Sequence, residues 1–253
     1  MNSGYEIPVL GFGVYQTPPE KTEKAVLKAL QVGYKHIDSA KSYRNEAQCG
    51  AAVRASGLKR SDVFFTTKVP WQAMGYQKTK DSIESSLKAA NFDYIDLILL
   101  HAPYGGSEAR EGSWRALVEA QVEGKVRSIG ISNYGVHHLD ELEEYNKDLG
   151  GKIDVGQYEL HPWLARPDIV EWLQKRNVVI EAYSPLVQAT KMAQILLRWS
   201  LQKGFVPLPK SVHDNRIEEN SEIFDFELSP EDMETLNTGE YHHVCWDPTV
   251  SRD

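Results

Sequence analysis

Cysteine is nearly absent: the 253 residues contain two, Cys49 and Cys245. They cannot build a disulfide framework, and their separation matches no zinc-ligand spacing. The sequence therefore predicts a reducing, cytoplasmic setting and no metal site. Long apolar runs are missing too. The most apolar stretch, Ile95–Leu100, is broken by Asp96 and is too short to span a bilayer. Met1 to Leu10 lack the basic and apolar regions of a secretory signal. Blocks of Lys and Arg are also absent. With 28 basic against 36 acidic residues and a net charge of −8, the chain is a poor partner for nucleic acid or an anionic membrane. Any site for a phosphorylated ligand has to be a local cluster of cations. No low-complexity stretch and no Pro/Gly/Ser linker divides the chain, so residues 1–253 read as one domain.

What is present is an alternation. Eight β-rich runs occur: Leu10–Tyr15, His36–Asp38, Val63–Lys68, Ile95–Leu100, Val126–Ser132, Val155–Tyr158, Val178–Tyr183 and Phe205–Lys210. Between them lie amphipathic runs with apolar residues three and four apart, such as Val26, Ala29 and Leu30, or Ile195, Leu196 and Trp199. Gly33 stands where a helix would end, and Ser229-Pro230-Glu231-Asp232 reads as a cap, a first-turn proline and first-turn acids. Strict alternation implies parallel strands joined by crossovers. Eight units close a barrel more naturally than they extend an open sheet, so the expected class is α/β, a (β/α)₈ (TIM) barrel. The rival, a doubly wound dinucleotide fold, has only the partial fingerprint Gly11-Phe12-Gly13, with Gln16 where a third glycine belongs.

In such a barrel the C-terminal strand ends make the active site. Read in order, those ends are Asp38, Lys68, His101, Ser132 with Asn133, Gln157, Tyr183 and Lys210. Taken singly each has an ordinary explanation: a helix cap, a solvated lysine, a satisfied core imidazole. Core packing does not explain the ordered set. Tyr43 follows Asp38 closely enough to share the rim. A free tyrosine holds its proton up to a pKa of about 10. A nearby Lys68 ammonium is expected to lower that value and make Tyr43 a proton donor to a developing alkoxide. Asp38 would pair with Lys68, and His101 would hydrogen-bond a carbonyl oxygen.

These residues carry a family resemblance. The segment His36-Ile37-Asp38-Ser39-Ala40-Lys41-Ser42-Tyr43-Arg44-Asn45-Glu46 resembles the signature of the aldo-keto reductases. So do Thr66-Thr67-Lys68-Val69, Leu99-Leu100-His101-Ala102-Pro103, Gly130-Ile131-Ser132-Asn133 and Ala182-Tyr183-Ser184-Pro185-Leu186, and the match runs on through Pro209-Lys210-Ser211-Val212 to Arg216 and Asn220. The resemblance implies a barrel that binds a nicotinamide cofactor without a Rossmann domain. It implies Tyr43 as general acid, Lys68 and Asp38 as its tuning pair, and His101 as the orienting residue. Tyr183 would stack on the nicotinamide, and Ser132, Asn133 and Gln157 would hold its carboxamide. Ser184, Leu186, Lys210, Ser211, Val212, Arg216 and Asn220 would line the rest of the cofactor site.

Lys210 and Arg216, with Ser211 and helix N–H groups, make a phosphate site, which favours NADPH/NADP⁺ through its 2′-phosphate. Candidate substrate walls are Tyr15, Trp71, Tyr104 and Trp246, beside His101; aromatic walls suit small aldehydes and ketones. The expected protein is a cytoplasmic NADPH-dependent carbonyl reductase, monomeric or weakly homo-oligomeric, with a small-molecule substrate. Two other classes share some of these features. A Schiff-base lyase would use Lys68 as nucleophile, and a sensor or accessory subunit would bind NADPH with little turnover. The chain departs from the family at Gly156, where Asn is common, at Ala102, where Trp is common, and in a short C-terminal segment from Tyr241 to Asp253. After Tyr183 the family has a long loop over the cofactor pyrophosphate. Here Leu186 runs quickly into Ala193, so a missing loop is expected near 187–193.

Overall fold

The computed structural model describes residues 1–186 and 192–253. Eight strands form one parallel sheet in chain order: β1 (Phe12–Gly13), β2 (His36–Asp38), β3 (Phe64–Val69), β4 (Ile95–Leu100), β5 (Val126–Ser132), β6 (Val155–Glu159), β7 (Val179–Tyr183) and β8 (Val206–Pro207). The sheet curls until its edges meet. Gly11 N–H donates to the Pro207 carbonyl (3.1 Å) and Gly13 N–H to the Pro209 carbonyl (2.9 Å). Outside it lie α1 (Pro19–Gln31), α2 (Glu46–Ala55), α3 (Tyr76–Ala90), α4 (Ser107–Val122), α5 (Val136–Leu149), α6 (Pro167–Gln174), α7 (Ala193–Gln202) and α8 (Asp214–Glu219), with α9 (Pro230–Thr235) beyond the eight units. This is the expected (β/α)₈ barrel.

The eight expected strands all form, but the first and last are shorter than expected. Pro207 and Pro209 have no N–H, so that edge offers only carbonyls. The glycine N–H groups of residues 11 and 13 take them. A Cβ on Gly11 would lie 2.7 Å from His36 Nδ1, and one on Gly13 3.2 Å from the Leu208 carbonyl oxygen. The Gly11-Phe12-Gly13 run therefore serves close packing at the barrel seam, not a phosphate-binding turn. Helix punctuation follows the sequence. Gly33, at φ +109°, ends α1, and the Ser229 hydroxyl accepts from Asp232 N–H (3.1 Å) to open α9.

Side chains alternate along each strand. Ile37, Phe65, Ile98, Ile129, Ile131 and Ile180 join the main core with helix residues such as Val26, Ile83, Trp114, Leu117, Leu173 and Trp199. Each such burial stabilises by about 1.5–3 kcal/mol. On α7 the buried face is set by Leu196, Leu197 and Trp199, which turns Ile195, expected in the stripe, out to solvent. The opposite strand faces fill the barrel. Its interior holds the apolar cluster Leu97, Leu99 and Val155, with Met1 and Ile7 packed against it, and the buried polar residues His36, Asp38, Thr66, Lys68, Gln157 and Glu181. The break expected near 187–193 falls mostly on 187–191, which lie outside the described residues. Met192 and Ala193 open α7, where the Met192 carbonyl accepts from Leu196 N–H (3.1 Å). No described helix is long and apolar enough to cross a membrane.

Candidate active site

Parallel strands put their C-terminal ends on one rim, and the polar strand ends meet there. Lys68 is the penultimate residue of β3, with its ammonium buried. Nζ donates to Asp38 Oδ1 (2.7 Å), Asp38 Oδ2 (2.8 Å) and the Ser39 carbonyl (2.8 Å). All three donors are spent, and the lysine is 1% exposed. A Schiff-base nucleophile must shed its proton and reach a substrate; this lysine is locked in an ion pair.

Tyr43 closes a short 3₁₀ turn, Lys41–Tyr43, after β2. Its hydroxyl has no hydrogen-bond partner among the described residues. The Lys68 ammonium lies 5.1 Å from the centre of the Tyr43 ring. This changes the expected electrostatics. Burial first, then the Asp38 charge, push the Tyr43 phenol well above its ordinary value. Lys68 faces the ring and is already neutralised by Asp38, so it does not lower the phenol as the sequence suggested.

His101 follows β4 with its ring 5.8 Å from that of Tyr43. Burial, then Lys68, push its imidazole down to about 3, so it is neutral at physiological pH. Nδ1 is buried without a partner, and the His101 carbonyl accepts from Asn133 Nδ2 (3.0 Å). A neutral imidazole can donate one hydrogen bond; it is no source of a free proton.

Ser132, Asn133 and Gln157, expected to hold a carboxamide, are linked by hydrogen bonds. Ser132 Oγ donates to the Gln157 carbonyl (2.9 Å), and Asn133 Nδ2 reaches Ser132 Oγ (3.1 Å). Tyr183 O–H donates to Asn133 Oδ1 (2.8 Å), and Asn133 takes a left-handed backbone at φ +63° to reach it. Gln157 turns into the barrel, where its Nε2 donates to Asp38 Oδ2 (2.8 Å) and Glu181 Oε2 (2.7 Å). Gly156 faces the other way: a Cβ there would be 3.0 Å from Leu173. Its smallness serves packing of β6 on α6. Ala102 is fully buried.

The four predicted wall residues come together as one chain of rings. Tyr15 lies 5.0 Å from Tyr43, Trp246 6.4 Å from His101, Tyr104 5.6 Å from Trp246, and Trp71 5.9 Å from Tyr104. Trp246 reaches the mouth because the C-terminal segment is pinned. Glu159 accepts from Val244 N–H (2.6 Å) and Cys245 N–H (3.1 Å). Burial would raise its carboxyl, but the His161 bond and these two N–H groups outweigh that and hold it below its ordinary value. Arg166 donates to Asp247 Oδ1 (3.0 Å) and Thr249 Oγ1 (2.8 Å). Glu159, Arg166 and Asp247 were not singled out from the sequence. Cys245 sits in the same mouth, its Sγ 3.2 Å from Ser184 Oγ. Among the described residues no cluster of His, Cys, Asp and Glu could hold a metal.

On the far side of the rim, Lys210 and Arg216 are exposed, and neither has an ion pair among the described residues. The Lys210 ammonium is pushed down by burial and by Lys21 of α1, a third cation not anticipated. Ser211 is buried and Oγ accepts from His213 N–H (3.1 Å); Asn220 is buried, and Val212 and Leu186 are partly so.

Residues 9–190 match the model of the aldo/keto reductase family. An uncharacterized oxidoreductase of Schizosaccharomyces pombe is 42% identical, with 99% of this chain and 97% of that one covered. That alignment spans 274 positions. The relative thus carries residues without a counterpart among the 253 here. A glyoxal reductase of Bacillus subtilis is 39% identical over 94% of this chain and 90% of its own. Among solved structures, an aldo-keto reductase from a Medee basin deep-sea metagenome library superposes with a TM-score of 0.93, at 33% identity, covering 100% of this chain and 98% of that one. An aldo/keto reductase from Brucella melitensis gives 0.88 at 37% identity, covering 94% and 96%.

Proposed function

This chain belongs to the aldo/keto reductase family, and we propose that it reduces small aldehydes or ketones to alcohols with NADPH, Tyr43 acting as the general acid. The observation that carries the reading is the Tyr43 hydroxyl. It is unpartnered, and its ring stands between the neutral His101 imidazole (5.8 Å) and the buried Lys68 ammonium (5.1 Å).

The residues present fit a nicotinamide dinucleotide phosphate. A net charge of −8 disfavours an anionic ligand over most of the surface, yet Lys21 and Lys210 repel each other at the end of β8. A bound phosphate would relieve that repulsion, and Arg216 is free to join. The half-buried Tyr183 ring, fixed by its bond to Asn133, offers a flat face for stacking. When bound, the cofactor supplies a hydride to the carbonyl carbon.

The protein's part is positioning and proton transfer. The ring chain from Tyr15 to Trp71 excludes water and holds an apolar substrate. His101 donates a hydrogen bond to the carbonyl oxygen. As the C=O electron pair moves onto that oxygen, the O–H bond of Tyr43 breaks and its proton transfers there. The phenolate left behind faces the Lys68 ammonium and regains its proton from solvent. The walls carry no charge, and the glyoxal reductase relative makes small dicarbonyls and aromatic aldehydes the first substrates to assay.

The test is loss of NADPH absorbance with methylglyoxal and benzaldehyde. Wild type is expected to turn over, and Tyr43→Phe to lose about 10²–10⁴ in kcat with cofactor affinity kept. Near-normal turnover in that variant would remove Tyr43 from its role. Wild type that consumes no NADPH across aldehydes and ketones would overturn the reading as an enzyme.

A further inference from the structure

Glu181 of β7 is 0% exposed and plays no part in the chemistry above. It lies two residues before Tyr183, so it points into the barrel beneath the rim. Its Oε2 accepts from Gln157 Nε2 (2.7 Å), and the second hydrogen of that nitrogen goes to Asp38 Oδ2 (2.8 Å). Asp38 in turn grips Lys68 (2.7 and 2.8 Å). An unbroken path, Glu181–Gln157–Asp38–Lys68, therefore crosses the barrel to the floor under Tyr43.

Glu181 is poorly equipped to be an anion. Oε1 has no hydrogen bond. The groups facing it are His36 and Asp38 from β2, Lys68 from β3 and Gln157 from β6; its partner on β8 is Val206, which is uncharged. His36 Nε2 is 3.5 Å from Oε1 and already shares a hydrogen bond with Thr66 Oγ1 (2.9 Å). The one cation, Lys68, has all its donors on Asp38 and Ser39. A second buried carboxylate would share a single amide nitrogen with the first, an arrangement that a proton relieves. Burial, then the Asp38 charge, push Glu181 up to about 8. Burial and Lys68 push His36 down to about 3, so it does not take that proton.

We propose that Glu181 is a positioning residue: as a neutral carboxylic acid it fixes Gln157 and, through it, the Asp38–Lys68 pair under Tyr43, and its ionisation disables the site. The proposal rests on Tyr43 being the proton donor. An ionised Glu181 adds an uncompensated charge to the barrel interior, which holds the Tyr43 proton more tightly. It also competes with Asp38 for Gln157. Both effects slow proton delivery, so activity is present below the Glu181 pKa and lost as pH rises through it.

The test is the pH profile of benzaldehyde reduction by NADPH for wild type, Glu181→Gln and Glu181→Ala. Gln mimics the neutral acid and cannot ionise. Wild-type kcat is expected to fall about tenfold from pH 7 to pH 9, one unit above the group's value. Glu181→Gln should stay within about threefold of wild type at pH 7 and show no such fall. Glu181→Ala should lose activity at pH 7, where Glu181→Gln keeps it. A fall that persists in Glu181→Gln, or a flat wild-type profile, overturns the role of Glu181 while leaving the reductase reading intact. Wild type without turnover at any pH overturns the reductase reading itself. If the variants do not fold, infrared spectra of wild type decide: a carboxylic-acid C=O band at pH 7 that vanishes by pH 9 supports the proposal, and no such band at pH 7 refutes it.

Discussion

Replacing Lys68 with Met tests the centre of the site through stability alone, whatever the substrate. Methionine nearly matches the lysine stem but removes the charge. Asp38, 4% exposed, loses both bonds to Nζ and keeps only Gln157 Nε2. Removing one member of a buried ion pair costs about 3–5 kcal/mol. A second route to the figure agrees. A stranded carboxylate escapes its penalty by taking a proton, and for a free aspartate, with a pKa of about 3.9, that costs about 4 kcal/mol at pH 7 but only about 1.5 at pH 5. The destabilisation should therefore shrink on acidification. Equilibrium urea unfolding followed by tryptophan fluorescence, at pH 7 and pH 5, reads both numbers, and the buried Trp114, Trp172 and Trp199 report on the core. In a chain of this size the pH 7 loss is about 6–20 °C in Tm. Lys68→Met/Asp38→Asn should recover most of it, since no charge is left stranded. A cost under about 1 kcal/mol at pH 7, or one unchanged at pH 5, would refute the account of Lys68 as the sole counter-charge of Asp38.

Three further outcomes follow from the same geometry. Lys210→Ala/Arg216→Ala should raise the NADPH KM by at least about tenfold while changing the NADH KM little, and equal effects would sink the phosphate assignment. His36 is 0% exposed and neutral in the fold, with its imidazole at about 3 against about 6.5 when unfolded. The unfolded chain binds the extra proton between those values, so stability is full above pH 6.5 and is lost as pH falls toward 3; for His36 this is on the order of 3 kcal/mol at pH 4. Wild type should lose this stability relative to His36→Gln as pH falls from 7 to 4, and denaturation series that stay parallel over this range would refute the reasoning. Gly50→Ala should destabilise by about 1–3 kcal/mol, because its Cβ would strike the Ala90 carbonyl where α2 crosses the end of α3; an unchanged unfolding midpoint would contradict that close contact.

Much of the barrel was legible because the relevant code is local. Strand runs and helix stripes repeat over a few residues, and a parallel barrel converts eight strand ends into one rim without any further information. Asp38, Lys68, His101, Asn133 and Tyr183 could therefore be grouped although they are far apart in sequence. The exceptions at β1 and β8 also have a local cause, since prolines 207 and 209 remove the donors a longer ladder needs. The polar interior was legible too, but at a different period. His36 stands two before Asp38, Thr66 two before Lys68, and Glu181 two before Tyr183. Period-two spacing marks them as side chains pointing the same way as the rim residues, one layer deeper. Reading only the strand ends passes over them.

What could not be read was anything set by direction or by long-range pinning. The shared rim put Lys68 near Tyr43 but could not say how Nζ would be oriented toward it. Nζ lies 5.1 Å from the ring centre and is paired with Asp38, and the expected fall in the phenol's pKa becomes a rise. The consequence concerns how the site must work. A phenol held well above its ordinary value is a poor acid by itself, so under the proposed mechanism proton delivery would depend on the negative charge that develops on the substrate oxygen, to which the neutral His101 would also donate. A site of this kind stays protonated and inert until a polarised carbonyl lies against Tyr43. The placement of Trp246 is the parallel case. The segment that carries it has no periodicity, and its position is fixed by Glu159 and Arg166, some 80 residues earlier by chain separations of 85, 86 and 81. Glu159 ends β6 and Arg166 opens α6, so the scaffold that orders the rim also positions Trp246. A change at Glu159 should therefore alter substrate choice through Trp246 while leaving the Tyr43–Lys68–Asp38 geometry in place.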